Sequence, residues 1–162
     1  MNIVEIIKKI KIIPEPKLLQ LYPPFLFIGL KVVDYTDDLR QIQLKLPMRW
    51  YLKNMHGTFF GGVLAMICDP FPAVMIPKFF KDVDVWTKRI EVEFLKPSRT
   101  SIHLKVELSN VDCRIIQEKL DACGSAVHDF YYAFTDERSR EIARVRNSVY
   151  VRRRRSLLKS SS

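Results

Sequence analysis

The chain has 162 residues, of which 48% are hydrophobic and 28% charged, and its formal net charge is +9. That length fits one domain with its own core, and the charge content excludes both wholesale disorder and a membrane-embedded protein. The basicity is uneven: Arg152, Arg153, Arg154, Arg155 and Lys159 carry about half of the excess, so it describes the C-terminal end more than the domain.

Three cysteines, Cys68, Cys113 and Cys123, form no close pair, and with three scattered histidines they make no zinc spacing. Thiols in a reducing, cytoplasmic setting are the simplest expectation, with no metal and no redox cofactor. The first residues hold lysines and isoleucines but no continuous apolar h-region and no small-residue cleavage site, so no signal peptide is expected.

In chain order, Ile3, Val4, Ile7 and Ile10 recur at helical spacing, which predicts an amphipathic helix over residues 2–12. Pro14 and Pro16 end it. Leu18, Leu19 and Leu21 suggest a further turn, closed by Pro23-Pro24. Ile28, Leu30 and Val32 alternate, as do Ile42, Leu44 and Leu46, and Thr36-Asp37-Asp38 between them reads as the turn of a β-hairpin. Residues 47–55 read as a loop. A long apolar helix is expected from Thr58 toward Phe80. It is long enough to span a membrane, yet Asp69 sits at its centre and Pro70, Pro72 and Pro77 interrupt it, so a buried helix of a soluble domain is the better reading.

A long strand is expected over residues 83–95. Val83, Val85 and Thr87 share one parity and Ile90, Val92 and Phe94 the other, which predicts a bulge near Lys88-Arg89. After a turn at Lys96-Pro97-Ser98, Ile102, Leu104, Val106 and Leu108 form another strand. A helix follows over residues 111–123, with Gly124 placed to end it. Phe130, Tyr132 and Phe134 alternate in a strand and form one sheet face, as core first. The turn from Asp136 to Arg140 leads to a last strand through Val145, Val149 and Val151. The element order predicts an α+β domain with a mostly antiparallel sheet and one dominant helix.

The chemistry concentrates at Asn54–Asp69, which reads N-M-H-G-T-F-F-G-G-V-L-A-M-I-C-D. The glycine pair lets a ligand approach the open amides and positive end of a helix, where a thioester oxyanion would be stabilised. A carboxylate inside an apolar run costs several kcal/mol unless it is paired or hydrogen-bonded, so Asp69 needs a partner or a task. It could act as base or nucleophile. Asp followed by Pro is equally a helix-start signature, with Pro70 disfavouring α conformation at Asp69, so a capping role stands beside the catalytic one. Cys68 beside it reads as packing, His56 as helix-entry structure, and His103 and His128 as surface or cross-strand residues.

The Asn54–Asp69 stretch resembles the active-site segment of hotdog-fold thioesterases of the phenylacetyl-CoA thioesterase type. Their pattern is Asn, five residues, His-Gly-Gly, then Asp seven residues later. Asn54, Gly61, Gly62 and Asp69 match it, and Phe60 stands where the family has His. The run V-W-T-K-R-I-E-V-E-F-L-K-P resembles the family's long central strand and puts Thr87 at a position where relatives carry a water-orienting Ser or Thr. The resemblance covers roughly residues 25–152. It is strongest to a branch that is a domain of unknown function, through G-T-x-F-G-G, the D-P-F run, V-W-x-K and a basic end.

The resemblance implies a hotdog fold, a curved antiparallel β-sheet wrapped around one long central helix. With it go a helical N-terminal segment (1–24), the hotdog domain (25–152) and a basic tail (153–162). It implies a homodimer or tetramer with interfacial sites, acting on an acyl-CoA or other thioester; CoA would enter as part of the substrate. Asp69, Asn54, Gly61 and Thr87 would be the catalytic group, and Phe60, Gly62 and Thr58 would contact substrate. Phe60 and Pro70 also motivate an alternative, a protein that binds acyl-CoA or fatty acyl chains without turnover. A further alternative is an interaction protein using its basic ends, with at most weak membrane-surface contact by the tail and no specific nucleic-acid binding.

Overall fold

The computed structural model of the protein describes residues 15–154. The helix expected over residues 2–12 and the last eight residues lie outside that range.

The N-terminal segment contains α1 (Glu15–Leu18), a 3₁₀ turn (Leu19–Leu21) and α2 (Pro23–Ile28). Pro23-Pro24 therefore opens a helix instead of closing the segment, because proline at the first helical position gives up an amide that has no intrahelical partner. Ile28 is consequently the last residue of α2 and not part of a strand. Gly29, at φ 71°, ends the helix in the left-handed region that glycine enters without steric cost.

β1 (Lys31–Tyr35) and β2 (Gln41–Leu46) form the expected antiparallel hairpin. The expected helix from Thr58 to Phe80 differs in extent and continuity. It consists of α3 (Gly61–Cys68), α4 (Pro70–Met75) and a 3₁₀ turn (Ile76–Lys78). Its start moves to Gly61 because the preceding residues pair locally, Phe59 bridging Lys53. Its breaks follow from proline chemistry: Pro70, Pro72 and Pro77 offer no amide to the carbonyls four residues earlier.

β3 (Val83–Phe94), β4 (Ile102–Glu107), α5 (Asn110–Cys123), β5 (Ser125–Asp136) and β6 (Glu141–Arg153) complete the chain. The six strands form one antiparallel sheet in the order β1-β2-β4-β5-β6-β3, wrapped around the broken central helix. The bulge expected near Lys88 is present as a register shift between Thr87 and Arg89 against β6. Gly124 ends α5 at φ 68°, as its position suggested.

The start of α5 is set by a capping box that the apolar spacing did not reveal. The Ser109 hydroxyl accepts from the Asp112 amide at 3.1 Å, and the Asp112 carboxylate accepts from the Ser109 amide at 2.8 Å. The same carboxylate meets His128 Nε2 at 2.7 Å, which ties α5 to β5. His128 is thus a buried residue beneath α5, not a surface or cross-strand one. Burial pushes the Asp112 carboxyl up, but the bonds from Ser109 and His128 outweigh it and hold the group below its ordinary value.

With about 3.6 residues per turn, the central helix divides into stripes. Leu64, Ile67, Cys68, Phe71 and Met75 fall on one stripe and are all buried in the core with Phe130, Phe134, Val145 and Val149 of the sheet. Each large apolar side chain so buried stabilises the fold by roughly 1.5–3 kcal/mol. Gly62 and Asp69, seven residues apart, share the outward stripe. Met66, Pro70, Val74 and Pro77 flank it on the side of the N-terminal helices, where they line a common cavity.

Candidate functional site

The residues singled out in the sequence fall into two groups, one at each end of α3. At its start, Asn54 organises the loop that delivers the glycines. Its Oδ1 accepts from the amides of His56 (2.9 Å) and Thr58 (3.2 Å), and its Nδ2 donates to the Thr58 hydroxyl at 2.9 Å. Thr58 is only 6% exposed, and its hydroxyl donates back to Asn54 Oδ1 at 3.1 Å. Both side chains are therefore engaged within the loop.

That loop ends at Phe60, whose side chain makes no cap bond to α3. The amides of Gly61 and Gly62 have no intrahelical partner, as first-turn amides must, and no other group in the described residues receives them. Both glycines pack under aromatic rings that a side chain would have to displace. A Cβ at Gly61 would lie 2.9 Å from the Phe94 ring, and one at Gly62 would lie 2.6 Å from the Phe60 ring. Phe60 is 56% exposed and Phe94 57%. The two rings, with Ala65, Ile90 and Val92, line an apolar groove of about 440 Å³ between α3 and β3. On the other side of Gly61, a cleft of about 360 Å³ also touches Asn54, Thr58 and Phe94.

At the other end of α3, the chain passes through Asp69 with φ −64° and ψ −57°. This is right-handed helical backbone, so the continuing helix overrides the local preference that Pro70 imposes. The Asp69 side chain makes no cap bond, and the capping role is not realised. Nor is the side chain buried: it is exposed on the single chain, so the desolvation cost expected of a carboxylate in an apolar run does not arise there. It reaches the wall of the cavity shared by Met66, Val74 and the N-terminal helices.

The backbone at this break is held by Tyr132, which the sequence assigned to core, by Asn147, which it did not single out, and by Thr87, expected in the catalytic group. Pro72 leaves the Cys68 carbonyl without its helical donor. That carbonyl receives the Tyr132 hydroxyl at 2.7 Å and Asn147 Nδ2 at 2.8 Å. Asn147 Nδ2 also donates to the Tyr132 oxygen at 3.1 Å. The Thr87 hydroxyl donates to the Asp69 carbonyl at 2.9 Å, so Thr87 positions the Asp69 backbone. Proline four residues after Cys68 was the available signal for an orphaned carbonyl; nothing local named its donors. Asn147 is 0% exposed, and among the described residues its Oδ1 has no hydrogen-bond partner.

Burial, and then the neighbouring Asp69 charge, push the Cys68 thiol up to about 12. Its sulfur donates to the Leu64 carbonyl at 3.0 Å, so it stays a neutral packing group. Burial likewise raises Tyr132, so its phenol keeps the proton that it donates. No group of three or more His, Cys, Asp or Glu side chains able to hold a metal ion occurs among the described residues. No helix among them is long and apolar enough to cross a membrane. The described part of the basic end is ion-paired on the fold: Arg152 and Arg154 with Asp84, at 3.5 and 2.8 Å, and Arg153 with Asp121.

A six-stranded antiparallel sheet wrapped around one central helix, with a glycine pair opening that helix and a carboxylate two turns on, defines a hotdog-fold protein. Within that fold, the chain belongs to the family described as Domain of unknown function (DUF4442), whose model matches residues 16–151. No curated protein matches the chain. Among solved structures it is similar to a Pseudomonas aeruginosa protein of unknown function described as a probable thioesterase. The two share 16% identity over 86% of this chain and 96% of that one, with a TM-score of 0.75. It is also similar to a Haemophilus influenzae thioesterase, at 12% identity over 91% of this chain and 92% of that one, with a TM-score of 0.65. A Chlorobaculum tepidum protein of unknown function shares 13% identity over 93% and 96% of the two chains, with a TM-score of 0.69. At these identities the likeness establishes the fold that this chain shares with thioesterases.

Proposed function

We propose that this protein hydrolyses an acyl thioester, acyl-CoA being the substrate class, at a site shared by two copies of the chain. One observation carries the reading. The open amides of Gly61 and Gly62 and the carboxylate of Asp69 are the two halves of a thioester-hydrolysing site, yet eight residues of helix between Gly61 and Asp69 amount to about 12 Å. Within one chain they cannot meet at one carbonyl carbon. Gly62 and Asp69 share the outward stripe of the helix, so two antiparallel helices related by a two-fold axis would bring Gly62 of each against Asp69 of the other. β3 supports such pairing. It is twelve residues long, lies at the sheet edge, and carries the exposed Trp86 and Phe94 beside the apolar groove. A long unprotected edge strand is a template for a second chain.

In this reading Asp69 takes a proton from water as the hydroxyl adds to the thioester carbon. The oxyanion forms at the Gly61 and Gly62 amides of the other copy. The C–S bond then breaks, and the thiol leaves with the proton that Asp69 held. Thr87 keeps the Asp69 backbone in place, and Asn54 and Thr58 hold the loop before the glycines. The second reading, acyl binding without turnover, rests on Phe60, an apolar ring where thioesterases of the resembled type place a His.

The test is thiol release from a panel of acyl-CoA esters by the native chain, by Asp69→Asn, by Gly62→Val, and by the two variants refolded together. Each variant alone is expected to be inactive, and the mixture to regain activity through dimers with one intact site. Turnover unchanged in Asp69→Asn removes Asp69 from the mechanism. A mixture as inactive as its parts removes the shared site. No turnover by the native chain on any ester, with acyl-CoA still bound, leaves the binding reading.

A further inference from the structure

The N-terminal helices and the central helix line a half-open cavity of about 680 Å³ between them. Leu18, Leu19 and Tyr22 form one wall, and Met66, Val74 and Pro77 the opposite wall. Phe25 and Pro70 also line it. Its lining is mostly apolar, with Asp69 and Lys78 as its charged groups, which fits an occupant with an apolar body and a polar end, and its size falls within the roughly 300–1,000 Å³ of small-molecule sites. Folded interiors keep few voids larger than a water molecule, and a dry void forfeits the dispersion contacts of its lining. Leu18, Leu19, Met66 and Val74 are only half-buried there, so an apolar filling would complete their burial.

Asp69 lies on the wall of this same cavity. Its neighbours on the helix explain the placement. Asp69 stands on the outward stripe with Gly62, where that stripe borders the one of Met66, Pro70 and Val74 that faces the N-terminal helices. A chain entering the cavity at Asp69 would therefore have its polar end on the outward stripe and its tail beneath α2. Water occupies about 30 Å³ in the liquid and a methylene roughly as much, so the cavity has room for on the order of twenty such units. A short or single-ring acyl group would leave most of it empty.

We propose that this cavity binds the aliphatic tail of a long-chain acyl group, with the N-terminal helices as the wall that sets chain-length preference. The placement of the carbonyl end at Asp69 rests on the thioesterase reading; the cavity's affinity for an aliphatic chain does not.

Two readouts separate the two claims. The first is binding of a fluorescent fatty acid to the full-length protein, which needs no turnover. The second is thiol release from acetyl-, phenylacetyl- and palmitoyl-CoA. Val74→Trp and Leu19→Trp fill the cavity from opposite walls, and neither residue belongs to the reacting group. Both are expected to weaken fatty-acid binding roughly tenfold or more and to cut palmitoyl-CoA turnover similarly, while acetyl-CoA turnover changes less than about twofold. Fatty-acid binding lost in both variants, with no thiol release from the native protein, upholds the cavity and fails the hydrolase. Thiol release that is indifferent to chain length and untouched by either tryptophan overturns the cavity and leaves the hydrolase standing. A native chain that retains no fatty acid, its cavity being closed or filled by its own residues, also overturns the proposal.

Discussion

At the start of α3 the amides of Gly61 and Gly62 donate to no partner among the described residues, whereas at its end the Cys68 carbonyl receives two buried donors. Both ends lack helical hydrogen bonds. One is left open on the surface, and the other is closed from the sheet by Tyr132 and Asn147. Open donors on a helix start are available to a ligand, while a carbonyl sealed at a break fixes the backbone on which Asp69 stands. One end of α3 is thus left open at the surface and the other is closed from the core.

The largest effect expected at either end belongs to Asp69→Asn. A general base typically contributes about 10²–10⁴-fold, so thiol release should fall by about 10³ while the thermal midpoint stays within a degree or two of native. A large loss of stability instead would make Asp69 structural and erase the contrast between the ends. Tyr132→Phe should do the reverse. Removing one of two donors to a buried carbonyl costs about 1–2 kcal/mol, or several degrees in thermal midpoint, with the KM for substrate little changed. Phe60→His should sharpen the open end by adding a polar group beside the amides. We expect turnover to rise by up to about tenfold, with a new inflection in the pH–rate profile near the titration of a histidine.

The smallest expected effect lies away from both ends, at the α5 cap. Asp112→Asn should cost about 1 kcal/mol at neutral pH, since cap and His128 contact are weakened together. Because the folded carboxyl is held below its unfolded value, its contribution is full above that unfolded value and fades as the pH falls through the folded one. Denaturant melts should therefore show the gap between native and variant constant above about pH 5 and closing below about pH 4. A gap that stays open in acid would mean that the carboxylate charge is not what stabilises the cap.

Much of this was legible in the residues. The parity switch in 83–95 located the β3 bulge because side chains in a strand alternate with period two, and a slip of one residue cannot be hidden. Gly124 announced the end of α5 through the left-handed backbone that only glycine adopts freely. The glycines and Asp69 were visible at family spacing, and the DUF4442 match spans the region that carried them. Other features misled. Pro23-Pro24 read as a stop when it is a start, since proline suits the first turn of a helix as well as the loop after one. Asp69 read as buried because apolar neighbours on both sides say nothing about which stripe of the helix it occupies.

By itself, then, the sequence determined the order of elements, the bulge, the end of α5 at Gly124 and the types of residue available for chemistry. These are local properties, set by backbone sterics and by the period of apolar side chains. Only the tertiary structure decided that Tyr132 and Asn147 seal the Cys68 carbonyl, that Thr87 braces Asp69 from a neighbouring strand, and that the N-terminal helices leave a cavity against the central one. Each of those joins residues far apart in the chain, and an orphaned carbonyl or an unfilled wall states a need without naming what meets it.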